Sequence, residues 1–151
     1  MPARSVRLRE AVPGPLRAGL ERLRQQVQVP DGFPAQVLEA AERSAREPRL
    51  PERDLTRLEF ATIDPPGAKD LDQALCIERQ GHGFVVWYAI ADVSAFVTAG
   101  DPVDHEAHAR GQTFYAPHLR TPLHPPVLSE QAASLLPGRV RPALVWRLTL
   151  D

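Results

Sequence analysis

Three aspartates, Asp64, Asp70 and Asp72, fall within nine residues of one another, and the chain between them is built to turn. Pro65, Pro66 and Gly67 force a reversal that lets Asp64 face back towards the other two. Asp70 and Asp72 are two residues apart, so in extended chain they project on the same side. Carboxylates gathered this closely repel one another unless a cation sits among them. An all-oxygen ligand set suits a hard ion, magnesium or manganese before zinc, and magnesium is the usual partner of phosphoryl chemistry. Zinc spacing is absent: Cys76 is the single cysteine, and His105 and His108 have no second ligand pattern nearby.

Other readings of the same residues compete. Aspartates beside proline and glycine often serve only to cap turns. A calcium loop of the DxDxDG type is broken at Gln73-Ala74. A phosphatase-type DxDx[TV] nucleophile requires Thr or Val where Ala74 stands. A bare DxD, as in metal-dependent enzymes acting on sugar nucleotides, stays open.

The elements that must position these acids differ along the chain. In the first 49 residues Leu16, Leu20, Leu23 and Val27 recur at helical spacing among charged residues, after Pro13 and Pro15 and before Pro30 and Gly32. A second helix is expected over residues 34–46, with Val37, Leu38 and Ala41 as its apolar face and Asp31 as its cap. Together they read as a small helical hairpin, either a packing element or an Arg-rich arm that touches RNA. Pro48, Leu50 and Pro51 read as a linker. From residue 50 the pattern becomes short apolar strands: 58–63, 75–78 and the continuous run FVVWYAIA at 84–91. The turn Gln80-Gly81-His82-Gly83 joins the last two as a hairpin. Residues 104–110 are expected to be a helix capped by Asp104, 113–115 a strand, 128–136 a helix and 143–150 a strand; Asp92 is expected to make strand-end hydrogen bonds.

The expected fold class is therefore α+β, with a helical region at 1–49 followed by a mainly antiparallel unit at 50–151. The closing run VWRLTL is strong strand material whose partner is expected outside the sequence, as in a chain cut short within a domain. A single cysteine excludes an internal disulfide and fits a cytoplasmic setting. No apolar run reaches membrane-spanning length, and the basic start MPARSVRLRE lacks the apolar segment of a secretory signal. With 18 basic against 19 acidic residues, the net charge of −1 neither demands nor forbids a nucleic-acid partner.

Taken in order, the motifs resemble one family, the ribonuclease II and ribonuclease R exoribonucleases with their RNB catalytic domain. The resemblance runs from about Leu50 to Asp151. It rests on Thr62-Ile63-Asp64, Lys69-Asp70-Leu71-Asp72, Tyr88-Ala89-Ile90-Ala91-Asp92-Val93 and Pro102-Val103-Asp104. It continues through Arg110-Gly111-Gln112-Thr113-Phe114-Tyr115-Ala116-Pro117, Pro122-Leu123-His124-Pro125, Val127-Leu128-Ser129 and Arg141-Pro142-Ala143-Leu144. It implies a 3′→5′ exoribonuclease that acts on single-stranded RNA and releases nucleoside 5′-monophosphates by two-metal phosphodiester hydrolysis, using Mg2+ or Mn2+. Asp64, Asp70 and Asp72 match three of the family's four metal-holding acids, Asp72 being the one most closely tied to catalysis. The fourth position, normally Asp, is Gln73, which offers a carbonyl oxygen without charge. Tyr115 matches an aromatic that contacts the terminal nucleotides; its competing reading is a strand tyrosine in the core. Lys69 is open to two readings, a neutralising or phosphate-touching cation and a solvated turn residue. The resemblance also implies an assisting arginine and a second aromatic clamp beyond Asp151. A non-catalytic RNA-binding remnant is the alternative function.

Overall fold

The computed structural model describes residues 13–117 and 119–151; the basic start of the chain lies outside them. Helix α1 spans Gly14–Gln26 and opens with proline in its first turn, where a missing N–H costs nothing. It buries none of its residues, and Leu16, Leu23 and Val27 stay more than half exposed. Helix α2, Ala35–Arg46, does bury its face through Val37 and Ala41. Asp31 does not cap it: Pro34 holds the N-cap position without a side-chain bond, and Asp31 instead accepts from Arg24 at 3.2 Å. The packing partners of α2 are α3, Pro102–Arg110, and a π-helical turn, Leu128–Ala132.

One apolar cluster joins these elements: Val37 and Ala41 from α2 with Ala95, Phe96, Val103, Leu128 and Ala133. The core thus spans both sides of the boundary expected at residue 50. The intervening chain is pinned to it by Arg49. That residue's N–H donates to Ala95 O at 2.9 Å and its guanidinium to Thr98 Oγ1 at 2.6 Å and Val97 O at 3.0 Å.

The second layer is a three-stranded antiparallel sheet in the order β1–β2–β5, with β1 at Gln73–Gln80, β2 at Gly83–Ala91 and β5 at Ala143–Leu150. The β1–β2 hairpin closes through Gly81, whose φ of 61° suits the first central residue of a mirror-image turn. The expected partner of the closing strand is found within the chain after all: β5 pairs with β2 along its whole length, from Phe84↔Leu150 to Ala91↔Ala143. One face of this sheet is left open, with Leu144, Trp146, Leu148 and Leu150 each about half exposed. A small second hairpin pairs β3, Phe114–Ala116, with β4, Leu119–Thr121. The mixture of helices and antiparallel sheets is α+β.

Three expectations change. Residues 58–63 form no strand: turns occupy 55–60, and pairing shrinks to one bridge, Ala61↔Leu75. Helix α3 is capped by Asp101, whose Oδ1 accepts from Asp104 N at 2.8 Å. Asp104 sits in the first turn and reaches back to Gly100 N at 2.8 Å, a reciprocal arrangement of the capping-box kind. The helix expected over 128–136 is only the π turn, because Ser134 and Leu135 leave the helical path to bond Leu71. Asp92 performs as expected, accepting from Ser94 N at 2.9 Å and Ser94 Oγ at 2.6 Å where β2 ends.

Candidate metal centre

The acid segment is positioned from its middle. Leu71, 6% exposed, turns inward. Its N–H donates to Ser134 Oγ at 2.9 Å and its carbonyl accepts from Leu135 N at 2.9 Å. With residue 71 fixed on both sides, Asp70 and Asp72 flank it in extended chain and project away from the buried leucine. The carbonyl of Asp72 is bonded by Ala91 N at 2.9 Å, which carries the β1–β2 ladder one step past its end. Asp64 lies earlier in an exposed loop. As the proline–glycine pattern predicts, that loop reverses: Ala68 N donates to Pro65 O at 3.1 Å and Gly67 has φ 87°, the position where a type II turn wants glycine.

The three carboxylates act on one another. Burial pushes the Asp72 carboxyl above its ordinary range, and the charges of Asp70 and then Asp64 push it further; Arg120 pulls the other way. Asp70 Oδ2 accepts from Arg120 Nη1 at 2.6 Å, and the other end of the same guanidinium is held by Glu130. Gln73, first residue of β1, has its Oε1 engaged by the Tyr88 hydroxyl at 2.6 Å. Lys69 is exposed; among the described residues the cation that reaches the acids is Arg120.

These residues match the needs of a hard divalent ion in chemistry: oxygen donors only, with burial and then the neighbouring charges of Asp70 and Asp64 raising Asp72. Their geometry is open. Among the described residues no three His, Cys, Asp or Glu side chains are gathered closely enough to enclose a metal. Tyr115 is 75% exposed on β3, which removes the core-tyrosine reading. It stands directly opposite Arg120 in the β3–β4 pair, so the two side chains share one face of the hairpin. The aromatic and the acid cluster are thereby joined through two paired residues. Arg120, Glu130 and Tyr88 were not legible as site residues. Arg120 lies on a strand hidden in proline-rich sequence, and the roles of the other two come from pairing partners distant in the chain.

A family model described as the RNB domain matches residues 52–151. The chain belongs to the RNB family. Among curated relatives, exoribonuclease 2 of Serratia proteamaculans is 41% identical over 102 residues, covering 67% of this chain and 16% of that protein. Exoribonuclease 2 of Klebsiella pneumoniae is 36% identical over 132 residues, 87% of this chain and 19% of that protein. Ribonuclease R of Mycoplasma pneumoniae is 40% identical over 100 residues. The chain thus spans less than a fifth of these RNB relatives' length. Among solved structures, Mycoplasma genitalium RNase R in complex with ribose-methylated single-stranded RNA aligns with a TM-score of 0.78 at 28% identity, covering 88% of this chain and 21% of that one. The same enzyme with double-stranded RNA gives a TM-score of 0.76 at 30% identity. No described helix is long and apolar enough to cross a membrane.

Proposed function

We propose that this RNB chain carries the acidic metal-holding part of a 3′→5′ exoribonuclease that acts in the cytoplasm on single-stranded RNA and releases nucleoside 5′-monophosphates. The observation that carries this reading is the pinned Leu71, which presents Asp70 and Asp72 on either side of it in extended chain. Asp64, Asp70 and Asp72 would hold Mg2+ (or Mn2+), with the amide of Gln73 as an uncharged fourth donor. When bound there, the ion supplies water activation and neutralisation of phosphate charge. The chain's own residues do the rest. Leu71, fixed by Ser134 and Leu135, keeps the two carboxylates oriented without reorganisation. Tyr115, exposed on the same hairpin face as Arg120, offers a stacking surface for a base, an interaction worth roughly 1–3 kcal/mol that tolerates any sequence.

The test is release of labelled mononucleotide from 3′-end-labelled single-stranded RNA by the protein containing this chain, with Mg2+ and with EDTA. Release confined to Mg2+ and lost in Asp72→Asn is the expected result; hydrolysis unchanged in that variant overturns the assignment. A second reading, RNA binding without turnover, is favoured by the two oxygens already in use: Gln73 Oε1 on Tyr88 and Asp70 Oδ2 on Arg120. It predicts RNA binding that survives EDTA and no mononucleotide under any ion.

A further inference from the structure

We propose that Arg120 is a built-in counter-cation of the acid cluster: it positions Asp70 in the metal-free protein and surrenders that carboxylate oxygen when a divalent ion binds. The inference rests on the metal-holding role proposed above for Asp64, Asp70 and Asp72.

The guanidinium is a fork with its two ends on different carboxylates. Nη1 donates to Asp70 Oδ2 at 2.6 Å and Nη2 to Glu130. Such an arrangement has a direction built into it. If Asp70 is withdrawn, Glu130 keeps the guanidinium anchored, so Arg120 can let go of one partner without swinging into solvent. All three side chains are about a third exposed. Ion pairs this accessible contribute little to folding, so stability alone does not account for the contact.

Charge accounting points the same way. Two carboxylates, Asp70 and Glu130, share the one Arg120 guanidinium, and Asp64 and Asp72 lie in the same short acidic segment as Asp70. The position where the family carries a fourth acid is Gln73, which adds no charge and whose Oε1 is taken by Tyr88. With that charge missing, the repulsion between Arg120 and an arriving dication has less to offset it. A dication and a guanidinium roughly 6 Å apart in a water-like dielectric weaken binding by about tenfold. Arg120 therefore preserves the geometry of Asp70 and also sets a threshold that the ion must overcome.

The experiment is Mn2+ binding by the whole chain, followed by calorimetry and by loss of the free-Mn2+ electron paramagnetic signal. Wild type is compared with Arg120→Gln, Arg120→Lys and Asp72→Asn, each checked for thermal unfolding. Arg120→Gln is expected to bind Mn2+ about tenfold more tightly, and Arg120→Lys, which keeps the charge, to stay within about threefold of wild type. A merely structural arginine would lower the melting temperature and leave affinity unchanged or weaker. Affinity unchanged or weaker in Arg120→Gln, with binding still lost in Asp72→Asn, overturns the role of Arg120 and leaves the metal site standing. Absence of Mn2+ binding in every protein overturns both. Should Arg120→Gln not fold, a crystal structure of the wild-type chain with Mn2+ decides. Asp70 on the ion with the guanidinium retained on Glu130 supports the proposal; Arg120 still on Asp70 Oδ2 beside a bound ion overturns it.

Discussion

Around Arg110 the chain surrounds one cation with acceptors, whereas around Asp72 it assembles like charges. The Arg110 side chain is 1% exposed. Nε donates to Glu106 at 2.8 Å, Nη1 to Pro122 O at 3.3 Å and Nη2 to Gly32 O, and the guanidinium stacks 3.7 Å from the Phe33 ring centroid. That charge is used up in joining the chain before α2, α3 and the segment after β4. The acid segment has the opposite character: Asp72, partly buried, feels the charges of Asp70 and Asp64, and the nearby Arg120 guanidinium is bonded to Asp70 and Glu130. A saturated charge stabilises a fold, and an unsaturated one recruits something from outside. The same helical part of the molecule that consumes its polar groups supplies, through Ser134 and Leu135, the fixed backbone on which the unsaturated acids stand.

The sharpest break in this contrast is Asp72→Asn. Removing a charge from the unsaturated cluster relieves repulsion, so the fold should hold or gain slightly. Mononucleotide release, in contrast, should drop about a thousandfold, equivalent to roughly 4 kcal/mol of barrier. Paired measurements of melting temperature and single-turnover rate check both halves; a large loss of stability would place Asp72 with Arg110 instead. Next comes Arg110→Met, which strands Glu106 beside a nearly buried site and should cost about 3 kcal/mol in urea unfolding. Mn2+ affinity of the folded fraction should be unaffected, since none of the contacts of Arg110 reaches Asp64, Asp70 or Asp72.

The turn that carries the acids was legible because its signal is local: a Pro-Pro-Gly reversal needs no knowledge of the rest of the chain, and it forms as the sequence implies. The β1–β2 hairpin was legible for the same reason, a glycine turn between two apolar runs. What was illegible depends on distant partners. Residues 128–136 carry a helical pattern, but Ser134 Oγ accepts from the N–H of Leu71, 63 residues away, and Leu135 N donates to Leu71 O, and the helix stops at one π turn. Residues 58–63 have strand composition but find only Leu75 as a partner. β5 reads as a strand whose mate is missing because β2 already has one mate in β1, and sequence pattern does not reveal that its other edge is free. Arg120 escaped notice because three-residue strands such as β4 have no periodicity to detect.

A smaller effect sharpens the position of Gln73. Gln73→Asp restores a fourth negative charge and shortens the side chain that now reaches the Tyr88 hydroxyl. The metal-free protein should lose up to about 1 kcal/mol from the broken hydrogen bond and added repulsion. Mn2+ binding should tighten by about tenfold, read in the same titration as wild type. Tighter binding without a stability loss would mean that the Tyr88 contact is incidental; unchanged binding would place Gln73 outside the metal-holding set.

The smallest effect belongs to the saturated side of the contrast, at a place where it is imperfect. His124 has its Nδ1 buried with no hydrogen-bond partner among the described residues, and burial lowers its imidazole below the ordinary histidine range. The folded chain therefore resists protonating His124, while the unfolded chain takes up that proton near the ordinary pKa of about 6.5. More protons are then bound to the unfolded state as the pH falls, so stability is full above that range and declines below it. His124→Gln removes the titration. The difference in melting temperature between wild type and this variant should shift against wild type as the pH is lowered from about 7.5 to about 5.5. A difference independent of pH would show that His124 is protonated equally well in both states, and that the histidine, unlike Asp72, feels no cost from the site in which the fold has placed it.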